Sequence, residues 1–173
     1  MPTYIALLRG INVGGARKVP MGDLRELCGA LGHADVRTYI QSGNVVFTAK
    51  SAPPARIRTA LEKRIEENFG FEVTVLLRTA AELAALTKRN PYGLDAHVTF
   101  LEAPADAKKA RAIDPAPFVP DEFEIRGAEV FVRCRNGYGT TKINNTFFER
   151  KLATKATTRN WKTVTTLLEW SSD

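Results

Sequence analysis

The chain has 173 residues, 44 % hydrophobic and 25 % charged, with a formal net charge of +6. That hydrophobic share supports the core of one ordinary domain or two small ones and excludes an intrinsically disordered chain. No apolar run reaches the roughly 20 residues of a spanning helix, and the N-terminus lacks the basic region and long apolar stretch of a signal peptide, so a cytoplasmic protein with no membrane partner is expected.

Thr3 to Leu8 reads as a buried strand. A glycine-rich loop follows, and Pro20 suits a first helical position, with Asp23 and Glu26 in the early turns. Leu24, Leu27, Cys28 and Leu31 recur at helical spacing, and Gly32 suits the stop. "VRTYIQ" and "NVVFTA" around Ser42-Gly43 form a hairpin pattern. After "SAPP", the residues Ile57, Leu61, Ile65 and Phe69 repeat four apart and end at Gly70. "FEVTVLLR" then reads as a strand. The order β-α-β-β-α-β is the ferredoxin-like, split βαβ arrangement. Right-handed crossovers place the first two strands parallel with the third between them. The Arg9–Lys18 loop, the Gln41–Asn44 turn and the end of the second helix should therefore meet at one end of the sheet.

Residues 79–95 read as a linker helix and turn, opened by a Thr79/Glu82 capping box. Beyond it, "HVTFLE" is a strand, "ADAKKARAI" a short helix, and "DPAPFVPDE" a Pro-broken loop. A hairpin turns at Arg126-Gly127-Ala128, and "NTFFERKL" is a helix with Thr146 and Glu149 as capping box. Asn160 caps a final helix. The expected fold class is α+β, with two ferredoxin-like (split βαβ) halves over residues 1–78 and 96–173. The second half is expected to have its last strand replaced by a helix.

The first loop is longer than the roughly two to six residues usual between a strand and a helix. Gly10, Gly14 and Gly15 let backbone amides turn outward, and a helix N-terminus follows, which favours anions. Arg17 and Lys18 add charge. A P-loop would need Lys and Ser/Thr where Ala16 and Arg17 stand, so a nucleoside triphosphatase is not expected. The charge excess is concentrated elsewhere: Arg133, Arg135, Lys142, Arg150, Lys151, Lys155, Arg159 and Lys162 face Glu149 alone. Such a segment is a candidate footprint for phosphates. An Arg159 beside a helix start also points to a carboxylate or bound anion as its partner.

"YIALLRGINVGG" with "KVPM", "DVRTYIQSGNVVF" and "ATTRNW" together resemble the family known as domain of unknown function 1697, over about Tyr4 to Glu169. The resemblance implies an α+β chain of two ferredoxin-like halves and carries no assigned activity. Within these strings Arg9, Asn12, Gln41, Ser42, Asn44, Thr157, Thr158, Arg159 and Asn160 are polar where a fold does not demand it.

Cys28 and Cys134 fall on apolar faces and read as core residues. His33 and His97 have no Cys or His at ligand spacing, so no metal site is expected; His33, just past Gly32, should be exposed. No Ser-His-Asp pattern or nucleophile elbow occurs. The aromatic RNA-binding strand of RRM domains is missing too, because Phe47 aligns with core-facing Val45.

The leading expectation is a protein that binds a phosphate-bearing ligand: a nucleotide, a phosphorylated metabolite or a nucleic-acid backbone. Candidate binding residues are Arg9, Asn12, Gly14, Gly15 and Lys18 in the loop, Gln41, Ser42 and Asn44 in the turn, and Lys142, Arg159 and Asn160 in the basic segment. No catalytic residue, cofactor or metal is assigned. One alternative is a metal-independent enzyme acting on an anionic small molecule, with Lys18 or Arg159 stabilising developing charge. Another is a protein–protein interaction module using sheet faces that carry Tyr39, Val46 and Leu76 away from the helices.

Overall fold

A computed structural model describes residues 1–172. Its first half runs β1 (Thr3–Leu8), α1 (Met21–Ala30), β2 (Ala34–Tyr39), β3 (Asn44–Thr48), α2 (Pro54–Phe69) and β4 (Val75–Thr79). Ile57, Leu61 and Ile65 bury one stripe of α2, and Gly70 ends it at φ 81°, donating to the Glu66 carbonyl. The sheet order is β2-β3-β1-β4 and every neighbouring pair is antiparallel. Tyr4, Ala6 and Leu8 meet Val45, Phe47 and Val75 on the helix side, under Leu24, Leu27, Cys28 and Leu61. The opposite face carries Ile5, Leu7, Val46 and Leu76, also buried. Phe47 therefore belongs to the core and offers no platform to a base. His33 is half-buried rather than exposed, because its ring stacks on Phe47 at 4.5 Å.

The helix α3 (Ala80–Lys88) opens with the expected capping box: Glu82 N–H donates to Thr79 Oγ1, and Thr79 N–H to Glu82 Oε2. The second half then runs β5 (Ala96–Leu101), α4 (Ala107–Arg111), β6 (Glu122–Arg126), β7 (Glu129–Arg133), α5 (Asn145–Leu152), β8 (Ala156–Asn160) and α6 (Trp161–Ser171). Its sheet order, β6-β7-β5-β8, repeats that of the first half. Leu101, Val130, Val132, Ile143, Phe147, Phe148 and Leu152 form its core.

One expectation is overturned. The last strand of the second half is not replaced by a helix; β8 is present and α6 is an addition after it. β8 pairs antiparallel with β5 from Leu101↔Ala156 to His97↔Asn160. Its residues, Ala156 to Asn160, lack hydrophobic alternation, so no strand is evident there from sequence. β-branched threonines suit a strand, and the edge of β5 supplies the missing partner. Only Asn160 acts as a cap, accepting from Thr163 N–H at 2.8 Å. The α5 cap is likewise Asn144, which accepts from Phe147 N–H, while Glu149 accepts from Ala156 N–H.

The two halves match bond for bond at one end. Leu8 N–H donates to Gly43 O and Arg9 N–H to Thr74 O; Leu101 N–H donates to Ala128 O and Glu102 N–H to Lys155 O. The chain divides into two compact units, residues 1–84 with those from 166 on, and residues 85–165. The first includes Trp170, which meets Tyr39 edge-on at 5.4 Å and lies 4.0 Å from the Arg37 guanidinium. No helix among the described residues is long and apolar enough to cross a membrane.

Candidate functional site

In the first unit, the loop after β1 has five left-handed residues: Gly10, Asn12, Gly14, Gly15 and Arg17. Asn12 at φ 53° and Arg17 at φ 52° lack glycine's freedom, so contacts must hold them there. Asn12 donates from Nδ2 to Val19 O and Gln41 O, and its Oδ1 accepts from Val19 N–H at 2.8 Å. Arg17 donates from Nε to Gly10 O and from Nη2 to Glu72 O, with its guanidinium 4.9 Å from the Phe71 ring centre. These two side chains clasp the loop to the β2–β3 turn and to the segment before β4. Ile11 and Val19 are buried beneath it.

The tip is left outside. Ala16 N–H closes a tight turn onto Val13 O, and Gly14, Gly15 and Lys18 are exposed. A Cβ added at Gly14 or Gly15 would meet nothing within 4 Å. Val13 is 64 % exposed beside them.

The turn residues divide by role. Gln41 is exposed and receives the Asn12 amide on its carbonyl. Asn44 is buried; its Nδ2 donates to Tyr39 O at 2.8 Å and to Ser42 Oγ at 2.9 Å, which shapes the turn. Gly43 packs against Ile11 and Leu8. The loop and turn thus meet as the topology required, with Asn12 and Asn44 holding the backbone.

In the second unit, Arg159 is 6 % exposed on β8, donating to Thr157 Oγ1 and Thr158 O. Burial pulls its guanidinium down to about 10. Lys142 is exposed, and Asn160 caps α6.

Sequence reasoning missed the Arg17 clasp, although the residue stood in the loop. It also missed a polar cluster on the helix side of β5 and β8. Thr158 donates to Asn145 Oδ1 at 2.9 Å, so its contact with Thr99 Oγ1 at 2.9 Å takes the Thr99 proton. Asn145 Nδ2 donates to Ala156 O, and Asn145 N–H donates to Tyr138 Oη. Tyr138 stacks on His97 at 4.7 Å, and burial raises its phenol. "RNGYGTTKINN" carries much of this cluster, but only the paired strands reveal Thr99 and Thr158 as neighbours. The buried Cys28 thiol is pushed up to about 12, and burial raises Cys134 as well, so both thiols stay protonated and unreactive near neutral pH.

Burial disfavours the charged form of both histidines. Burial lowers His33 and His97, and His33 Nε2 and His97 Nδ1 are buried without a hydrogen-bond partner among the described residues. Below the unfolded-state value of about 6.5 the unfolded chain binds more protons, so stability falls with falling pH. It is full above about 6.5 and is lost on the way down to the lower folded-state values. Urea titrations between roughly pH 7 and 5, above the carboxylate range, should show uptake of up to about two protons on unfolding. A His33→Phe/His97→Phe double variant, which keeps both ring stacks, should flatten that slope. A slope unchanged in the variant would locate the titration elsewhere.

The architecture is that of an α+β protein made of two ferredoxin-like halves, the first carrying a clasped glycine loop at one sheet end. The chain belongs to the family described as "Protein of unknown function (DUF1697)", whose model matches residues 1–131. Among solved structures it is similar to the conserved bacterial protein SP0830 from Streptococcus pneumoniae, with 24 % identity over 98 % of each chain and a TM-score of 0.74. That likeness shows the fold. No curated protein matches the chain.

Proposed function

We propose that the first unit binds a phosphate-bearing ligand at the tip of the Arg9–Lys18 loop. The observation that carries this reading is the clasp: Asn12 and Arg17 are both held left-handed to present Gly14 and Gly15 to solvent. Non-glycine backbone held in the left-handed region by specific contacts clusters at ligand-binding sites. Adjacent backbone amides in such a turn form a concavity for anions, and Lys18 adds a positive charge beside it. Asn12 and Asn44 have their amide donors committed to the fold, so they act as positioning residues. Gly14, Gly15, Lys18 and Gln41 are the groups open to a ligand.

The test is a thermal-shift and titration panel of nucleotides, sugar phosphates and short oligonucleotides at low and moderate salt. A ligand at about 100 times its Kd should stabilise by about 2.7 kcal/mol. Lys18→Ala, at an exposed position, should weaken binding about tenfold, as expected for one lost charge-assisted contact. A response to oligonucleotides alone that fades with salt would identify backbone binding. No stabilisation by any member would overturn the reading.

A further inference from the structure

The bond-for-bond match between the halves draws attention to a difference at that same end. In the first half the long loop roofs the sheet end, with Ile11 and Val19 buried below it. In the second half the equivalent connection, from Glu102 to Asp106, is short. Between it and the α5–β8 corner lies an open cavity of about 750 Å³. This lies within the usual range of small-molecule sites, about 300–1,000 Å³.

The charges lining it are unevenly committed. Asp106 spends an oxygen on Lys109 N–H, and Glu149 spends one on Ala156 N–H. Lys109, Arg150 and Lys155 line the same cavity, and none of the three makes an ion pair among the described residues. Arg150 lies 5.8 Å from the Phe147 ring centre, which steadies its stem. Ala153, also lining the cavity, ends α5 in the left-handed conformation at φ 52°, which turns the chain toward β8. Two of the three carboxylates give an oxygen to a backbone amide, while the ammonium and guanidinium groups of Lys109, Arg150 and Lys155 border the open volume of the cavity.

We propose that this cavity is a second binding site, for a small polyanionic metabolite bearing phosphate or carboxylate groups. Lys109, Arg150 and Lys155 take the anionic groups. Glu102, the remaining exposed carboxylate, accepts a hydroxyl or amine proton from the ligand and weakens the binding of molecules that are anionic throughout. The site is independent of the glycine loop, and either can fail without the other.

The experiment is a titration of the full chain with pyrophosphate and, separately, citrate, followed by backbone amide NMR shifts. Saturable shifts are expected over residues 102–109 and 146–155; which probe binds more tightly distinguishes phosphate from carboxylate chemistry. A Lys109→Gln/Lys155→Gln variant should weaken binding about tenfold or more, since charge-assisted hydrogen bonds are lost. Glu102→Gln should tighten pyrophosphate binding about threefold by removing a like charge. All three positions are exposed, so amide spectra should show the fold retained. The proposal is overturned if neither probe gives saturable shifts at these residues, if the shifts are confined to residues 9–18, or if the double variant binds unchanged.

Discussion

A Gly43→Ala variant is expected to lose about 3 kcal/mol of stability, the sum of backbone strain and overpacking. Gly43 sits at φ 88°, where side chains are disfavoured. A Cβ built there would lie 2.7 Å from Ile11 Cδ1 and 2.9 Å from Leu8 Cβ. Ile11 can turn a little, but Leu8 belongs to the central strand and its Cβ cannot retreat. The Gly43 carbonyl also receives Leu8 N–H, so relief by backbone movement would break a ladder bond. The expected fall in melting temperature is roughly 6–12 °C for a chain of this size. Gly127 provides the control. It turns the equivalent hairpin at φ 63° with nothing within 4 Å, so Gly127→Ala should cost only the strain, about 1 kcal/mol. Equal losses from the two substitutions in urea denaturation would show that close packing at Gly43 is unimportant. The effect should extend to the loop, because Asn12 is tied to this turn through Gln41 O.

Phe148→Ala should cost roughly 3–5 kcal/mol, the range for emptying a buried aromatic site. Its ring is fully buried on α5 and meets Phe123 edge-on at 5.3 Å and Phe147 at 5.2 Å. Such ring pairs add about 0.5–1.5 kcal/mol beyond burial. Phe148→Leu keeps most of the volume and should cost clearly less. A loss below about 1 kcal/mol for Phe148→Ala in urea denaturation would contradict a close-packed core in this half. The same variant should leave the exposed Glu102 and Lys155 in place, so measurable polyanion binding by its folded fraction separates stability from function.

Most of the helices were legible because their signals are local. Ile57, Leu61 and Ile65 repeat at the helical period, and Gly70 is the residue type that ends a helix left-handed. Thr79 and Glu82 lie three apart, and the capping box needs nothing else. β8 was not legible, because its residues carry no apolar alternation and become a strand only by completing β5. Asn144 and Thr146 both suit a cap, and the choice between them depends on where α5 meets the sheet.

The candidate site divides in the same way. The glycines, Lys18 and the turn residues could be gathered at one sheet end from the order of elements, since right-handed crossovers leave no other arrangement. What each residue does there could not. Asn12, Asn44 and Arg159 looked as available to a ligand as Lys18. Their amides and guanidinium are instead engaged by carbonyls and hydroxyls from residues brought beside them by folding. Residue type and spacing specify which groups a chain possesses and the local structure they favour. Whether a polar group faces solvent or a neighbouring carbonyl depends on long-range pairing, and at these positions only the tertiary structure decides it.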